Sequence, residues 1–318
     1  MTAPKWGLVA TVRAPTSEIL DFAAHHLDLG AHRVFIYLDD DNIAAFDALK
    51  AHPKCRPTLT DAQYWQRLGI KRRAKHQSRQ FENARHAYAR ANDLDWLTHI
   101  DVDELLWPGK TDLATQLASL PDDCLCARIR PVEALAPDGD TGPMTHFKAC
   151  APDRPVRRRQ TRDIYGAFGP VLNGGFLSHV AGKMIYRTGI ADLRVQIHNV
   201  FQGERMNPGE RSLDDTELLH LHAPGWERFE HALRYRLEKG SYRAELKPGA
   251  PREEGGMTMH ELLNHLIDEG GMQQLREFFR DVCTATPALR ERLAEHGLLR
   301  SYDLNLAGKR MRHFRDPP

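Results

Sequence analysis

Two periods organise the hydrophobic positions over the first 130 residues. Residues 7–13 (Gly-Leu-Val-Ala-Thr-Val-Arg) are mostly apolar and predict a buried strand, which Pro15 stops. Ile19, Leu20, Ala23 and Leu27 then recur at helical spacing, with Thr16 or Ser17 as cap and Gly30 as terminator. A second strand is predicted over 33–38 and runs into Asp39-Asp40-Asp41-Asn42, and a weaker third follows near 56–60. A long helix is expected from about 74 to 92, with Ala74, Phe81, Ala84, Tyr88 and Ala91 as its apolar stripe. The helix leads into an apolar strand from Trp96 that ends in Asp101-Val102-Asp103-Glu104, and one more strand is expected over 124–130. Strand and helix alternating in this way predict an α/β fold with right-handed parallel crossovers.

Past residue 131 the periodicity weakens. Residues 131–180 are rich in Pro and Gly and read as loop, carrying Arg154, Arg157, Arg158, Arg159 and Arg162. That cluster is either a solvated basic loop or a clamp whose guanidinium forks match phosphate oxygens. Strands are predicted over 183–187, 193–198 and 217–222. Helices follow from Thr258, which forms a capping box with Glu261; Pro287 opens the last helix and Gly297 ends it. The expected organisation is a domain over 1–247 and a helical C-terminal region over 248–318. Residues 248–256 would be the linker, and the basic run 309–315 a solvated tail.

Composition narrows the classes. Lys+Arg 44 against Asp+Glu 43 gives a net charge of +1, so no global field marks a nucleic-acid binder. A 41% hydrophobic content lies above disordered compositions. No apolar run reaches the roughly 20 residues that span a bilayer, and the first residues lack a signal-peptide pattern. Five scattered cysteines make neither a zinc spacing nor a disulfide framework, and a reducing cytoplasm is expected.

The chemistry is concentrated at Asp101-Val102-Asp103-Glu104. If the strand continues through it, Asp101 and Asp103 leave one face and Val102 points into the core. Two carboxylates at the C-terminal edge of such a strand are hard ligands suited to Mg²⁺ or Mn²⁺, and that edge is where open α/β sheets bind ligands. Glu104 is expected to buttress the turn. His220 and His222 share one face of an alternating segment, and imidazole biases a site toward Mn²⁺ over Mg²⁺.

The chain resembles family-2-type glycosyltransferases of the GT-A fold, in the branch related to glycosyltransferase families 2_4 and 92. Val12, Arg13, His26, Gly30, Ile36, Tyr37, Asp39, Asp95, Trp96, Asp101, Asp103 and Glu104 fall on the branch's pattern, whereas Ala14 and Pro15 replace its Asn-Glu pair. The resemblance covers residues 6–110 well and extends in patches to about 240. It implies a GT-A-like, Rossmann-type nucleotide-binding sheet and transfer of a sugar from a nucleotide-diphosphate donor to an acceptor hydroxyl with inversion. It also implies roles: Arg13, Asp39 and Asp101 toward the nucleotide, Asp101 and Asp103 toward the metal. His220 becomes a further metal ligand through its register with Phe229, with His222 as alternative, and Glu133 the base that deprotonates the acceptor. Two other classes stay open: a metal-dependent phosphohydrolase or nucleotidyltransferase, and a non-catalytic nucleotide-sugar or carbohydrate-binding module.

Overall fold

The computed structural model describes residues 3–139, 142–240, 242, 244, 248, 252–254 and 256–314. In chain order the elements are β1 (Trp6–Val12), α1 (Thr16–Asp28), β2 (Arg33–Leu38), α2 (Ile43–Ala51), β3 (Cys55–Leu59), α3 (Ala62–Arg67), α4 (His76–Tyr88), β4 (Trp96–His99), β5 (Glu104–Pro108), α5 (Leu113–Ala118), β6 (Cys126–Ala134), β7 (Met144–Lys148), α6 (Arg154–Tyr165), β8 (Lys183–Arg187), β9 (Leu193–Val195), β10 (Val200–Gln202), β11 (Arg205–Met206), β12 (Arg211–His220), α7 (Trp226–Glu238), α8 (Met259–Cys283, broken at Gly271), α9 (Pro287–Glu295), β13 (Leu299–Asp303) and α10 (Leu306–His313). They form two compact units: residues 1–130, 181–218 and 305–318 in the first, 131–180 and 219–304 in the second. No helix among the described residues is long and apolar enough to cross a membrane.

In the first unit β3, β2, β1 and β4 pair in that order, all parallel. Strand β8 pairs antiparallel with β4 and with the start of β6, so every strand of this set but β8 runs the same way. All seven residues of β1 are buried, as expected of a parallel strand covered on both faces. One core packs Val9, Phe35 and Tyr37 against Tyr64, Trp65, Ala84 and Ala87. This is the mixed α/β, mainly parallel arrangement that the alternation predicts, and it is consistent with a GT-A-like fold.

Two expectations for this unit are corrected. Helix α4 buries Gln80 and Asn83 beside Ala84 and Ala87, and Ala74 lies outside it and exposed, so its inner face is part polar. The run 309–314 is no solvated tail: α10 docks on α1, with Arg310 on Asp21 at 2.7 Å and Arg312 on Asp28 at 2.9 Å. Of the basic run 71–75, Arg72 reaches Asp39 and Arg73 reaches Glu82.

In the second unit the end of β6 pairs with β7, and β7 pairs antiparallel with β13 along its whole length. Leu263, Leu275, Phe278, Val282 and Leu289 form its core. Strand β13 lies where only helices are predicted. The arginine cluster sits on α6 and not in a loop: Asp153 caps the helix, Pro155 occupies its first turn, and Thr161, Ile164 and Tyr165 bury one side. Of the expected linker 248–256, residues 249–251 and 255 lie outside the described residues.

Candidate active site at the carboxyl edge of the parallel strands

The parallel strands of the first unit deliver Arg13, Asp39, Thr60 and Asp101 to one edge, because each follows a strand that runs in the same direction. Arg13 is exposed there. Asp39 is buried and accepts from Arg79 (2.6 Å) and Arg72 (2.8 Å), with His76 Nδ1 3.5 Å away. Thr60 Oγ1 also donates to it, at 3.3 Å. Burial alone would raise the pKa of this carboxyl. The hydrogen bonds from His76, Arg79 and Arg72 outweigh that and hold it well below the usual carboxylate range. Arg79 was legible only as a helix-surface residue, since its partner lies 40 positions away.

Residues 100–103 form a turn between β4 and β5 instead of a continued strand. The alternation argument therefore fails here: Val102 is half-buried and not a core residue. The turn is held by Glu104, which is fully buried and whose carboxylate accepts from the Asp101 amide at 2.9 Å. Lys183, the first residue of β8 and also fully buried, binds Asp101 at 2.7 Å and Glu104 at 3.1 Å. Gln80 of α4 donates to the other Asp101 oxygen. The same helix places Asn83 between Thr11 (2.9 Å) and Tyr64 (2.7 Å). Lys183, Gln80 and Asn83 escape sequence reasoning. The one available signal was a lysine opening a strand whose next three residues are Met184, Ile185 and Tyr186.

The turn is lined by histidines kept neutral. His99, at the end of β4, is buried, and neither ring nitrogen has a hydrogen-bond partner among the described residues. Its pKa is lowered to about 3, by burial first and then by the Lys183 charge. That of His198, whose Nδ1 meets the Gly182 carbonyl at 2.8 Å, is lowered to about 4 for the same two reasons.

Strand β5 begins one residue after Asp103 and pairs with β12, the Gly109 amide donating to the Asp215 carbonyl at 2.6 Å. His220 ends β12. In the second unit, His220 and His222 each offer a ring nitrogen, and these atoms lie within 4.8 Å of each other.

Around the histidines of the second unit, His220 and His222 have ring centroids 5.1 Å apart, and His222 Nε2 meets the Tyr242 hydroxyl at 2.8 Å. Arg236 donates to the His222 carbonyl at 2.7 Å. Glu133 is buried on β6, 3.2 Å from the fully buried Lys148, and accepts from the amides of Leu177 (2.9 Å) and Ser178 (2.8 Å). Burial pushes its pKa up, but the Lys148 charge and the hydrogen bonds from Ser178 and Leu177 prevail and lower it.

No family model and no curated protein matches this chain. Among solved structures it is similar to the galactosyltransferase LgtC, solved with donor and acceptor sugar analogues, at 16% identity and a TM-score of 0.25 over 57% of each chain. The chain thus spans a little over half of that protein. It is also similar to HddC from Yersinia pseudotuberculosis, at 10% identity and TM-score 0.27 over 81% of this chain and 99% of that one. A third likeness is to mannose-1-phosphate geranyltransferase from Thermus thermophilus, at 11% identity and TM-score 0.25 over 93% and 68%. Similarity of this degree says nothing of substrate or chemistry in this chain.

Proposed function

We propose that the chain is a glycosyltransferase that moves a sugar from a nucleoside-diphosphate donor to an acceptor hydroxyl, with a divalent cation held at the Asp101–Asp103 turn. The observation that carries the reading is the place of that turn at the carboxyl edge of the parallel strands, braced by Glu104 and Lys183. Its carboxylates are hard ligands that suit Mg²⁺ or Mn²⁺. When bound, the cation neutralises charge on the leaving diphosphate. Asp101, fixed by Lys183 and Gln80, takes the orienting role toward the ribose. Asp39 takes the nucleoside, with Arg79 and Arg72 setting its position, and exposed Arg13 lies at the same edge for the diphosphate. Glu133, locked by Lys148 and two amides, is assigned the holding of the Leu177–Ser178 backbone and not proton abstraction.

A second reading, a metal-dependent phosphohydrolase, shares the cation and the carboxylates and differs in consuming donor without an acceptor. Calorimetry with a panel of nucleoside-diphosphate sugars, with Mn²⁺ or with EDTA, tests the first. Donor binding that needs Mn²⁺ and fails in Asp103→Ala is expected. Binding indifferent to EDTA overturns the cation site, and rapid donor cleavage without acceptor moves the assignment to hydrolysis.

A further inference from the structure

A cavity of about 820 Å³ lies within the second unit, between the start of α7 and the second half of α8. Its size falls in the ~300–1,000 Å³ range of small-molecule sites. None of its walls belongs to the cation or nucleotide residues assigned above. Trp226 anchors it: the indole packs edge-on to Phe279 at 5.6 Å, and the Arg276 guanidinium lies 4.8 Å from its ring centroid. The indole Nε1–H is buried and has no acceptor among the described residues. A buried donor of that kind calls for an oxygen.

The rims are polar and preset. Along α8, Gln273, Arg276 and Arg280 recur at helical spacing on an exposed face, and Gln273 donates to Glu277 at 2.9 Å. Glu227 and Arg228 form the opposite rim at the start of α7. Three arginines against two glutamates nearly cancel, so the groove carries no strong field that selects an anion. All these groups are planar forks that pair with adjacent hydroxyls, and the stack on Trp226 fixes the Arg276 fork in advance.

We propose that this groove binds a neutral saccharide chain, its hydroxyls bridging the α7 and α8 rims and its C–H faces resting on Pro224 and Phe279. Taking that saccharide for the acceptor rests on the transfer reading, whereas its binding here does not. The probes are β-linked di- to tetrasaccharides of glucose, galactose and N-acetylglucosamine, followed on the whole protein by saturation-transfer NMR and tryptophan fluorescence. At least one is expected to bind, about tenfold or more weakly in Trp226→Ala and Arg276→Ala, and with unchanged affinity in Asp103→Ala. Trp226→Phe, which keeps the ring and removes the N–H, guards against misfolding of the alanine variant and is also expected to weaken binding. No binding by any member of the panel overturns the proposal, as does equal binding by all the variants. Inorganic diphosphate bound in an Arg276-dependent way, with no saccharide bound, overturns it in favour of an anion site. Saccharide binding that survives a failed donor calorimetry removes only the transfer reading.

Discussion

Replacing Lys183 by Met is the sharpest perturbation of the acidic turn. Burial alone would depress this ammonium, but Asp101 and Glu104 outweigh it and hold its pKa above the ordinary lysine value. A folded pKa raised above the unfolded one means the pair's contribution is fully present below about pH 10.4 and is lost only as pH rises beyond it. At neutral pH the charge is therefore fixed. Methionine keeps the stem and removes the charge that Lys183 brings to Glu104, a carboxylate with 0% exposure. Breaking one side of a buried pair costs about 3–5 kcal/mol. Most of that falls on Glu104, because Asp101, with a side chain 32% exposed, is screened by water. Urea unfolding should thus show Lys183→Met less stable by at least about 3 kcal/mol. Adding Glu104→Gln should recover part of the loss, since removing both charges is far cheaper than removing one. A single variant within about 1 kcal/mol of wild type, or strictly additive losses in the double variant, would refute the idea that this trio braces the turn.

Three buried histidines and the half-buried His198 should make the first unit acid-sensitive: His25 and His99 are each lowered to about 3, His198 to about 4, and His26 well below its normal value. A base whose folded pKa is depressed lets the unfolded state take up more protons below about pH 6.5, so each costs about 1.4 kcal/mol per pH unit as pH falls from there. Urea midpoints at pH 7.5, 6 and 5 check this, and a flat profile rules it out. Asp39 behaves oppositely: its depressed pKa gives stability present above about pH 4 and lost on further acidification, so Asp39→Asn should flatten that limb of the acid profile. The same variant should weaken nucleoside-diphosphate binding in calorimetry, and unchanged binding would reduce Asp39 to an anchor for α4. Mn²⁺ titration should show at least about tenfold weaker binding in Asp103→Ala; unchanged affinity would remove this carboxylate from the ligand set.

Much of the first unit is legible because its strands are apolar runs and its crossovers have helical period. What escapes depends on pairings across long stretches of chain. Lys183 opens a strand whose next three residues read as core, and its meaning lies in a carboxylate 82 positions earlier. Helix α4 defeats the rule that the apolar stripe faces inward, because it covers a polar edge and spends Gln80 and Asn83 on Asp101 and Thr11. Strands β7 and β13 are five-residue mixed sequences, each with a charged terminal residue, whose only strong signal is each other, and their cross-strand pair His146–Ser301 is 155 positions apart.

Basic runs show the same limit from the side of charge. Residues 71–75 and 309–313 have similar composition, and each taken alone reads as a solvated surface. In the fold, Arg72 joins Arg79 on a buried carboxylate, where a cation offsets the cost of burying Asp39. Arg310 and Arg312 instead bind half-buried acids, where each pair contributes only about 0–1 kcal/mol and mainly fixes how α10 lies on α1. Asp21 and Asp28 are seven residues apart on one helix, a spacing that repeats on a single face every two turns. Such an acidic row on a predicted helix, read together with a basic segment far along the chain, marks a docking partner that neither segment reveals alone. Asp39 had no such row, only its place at a strand end, which is why its cations could not be read from the sequence.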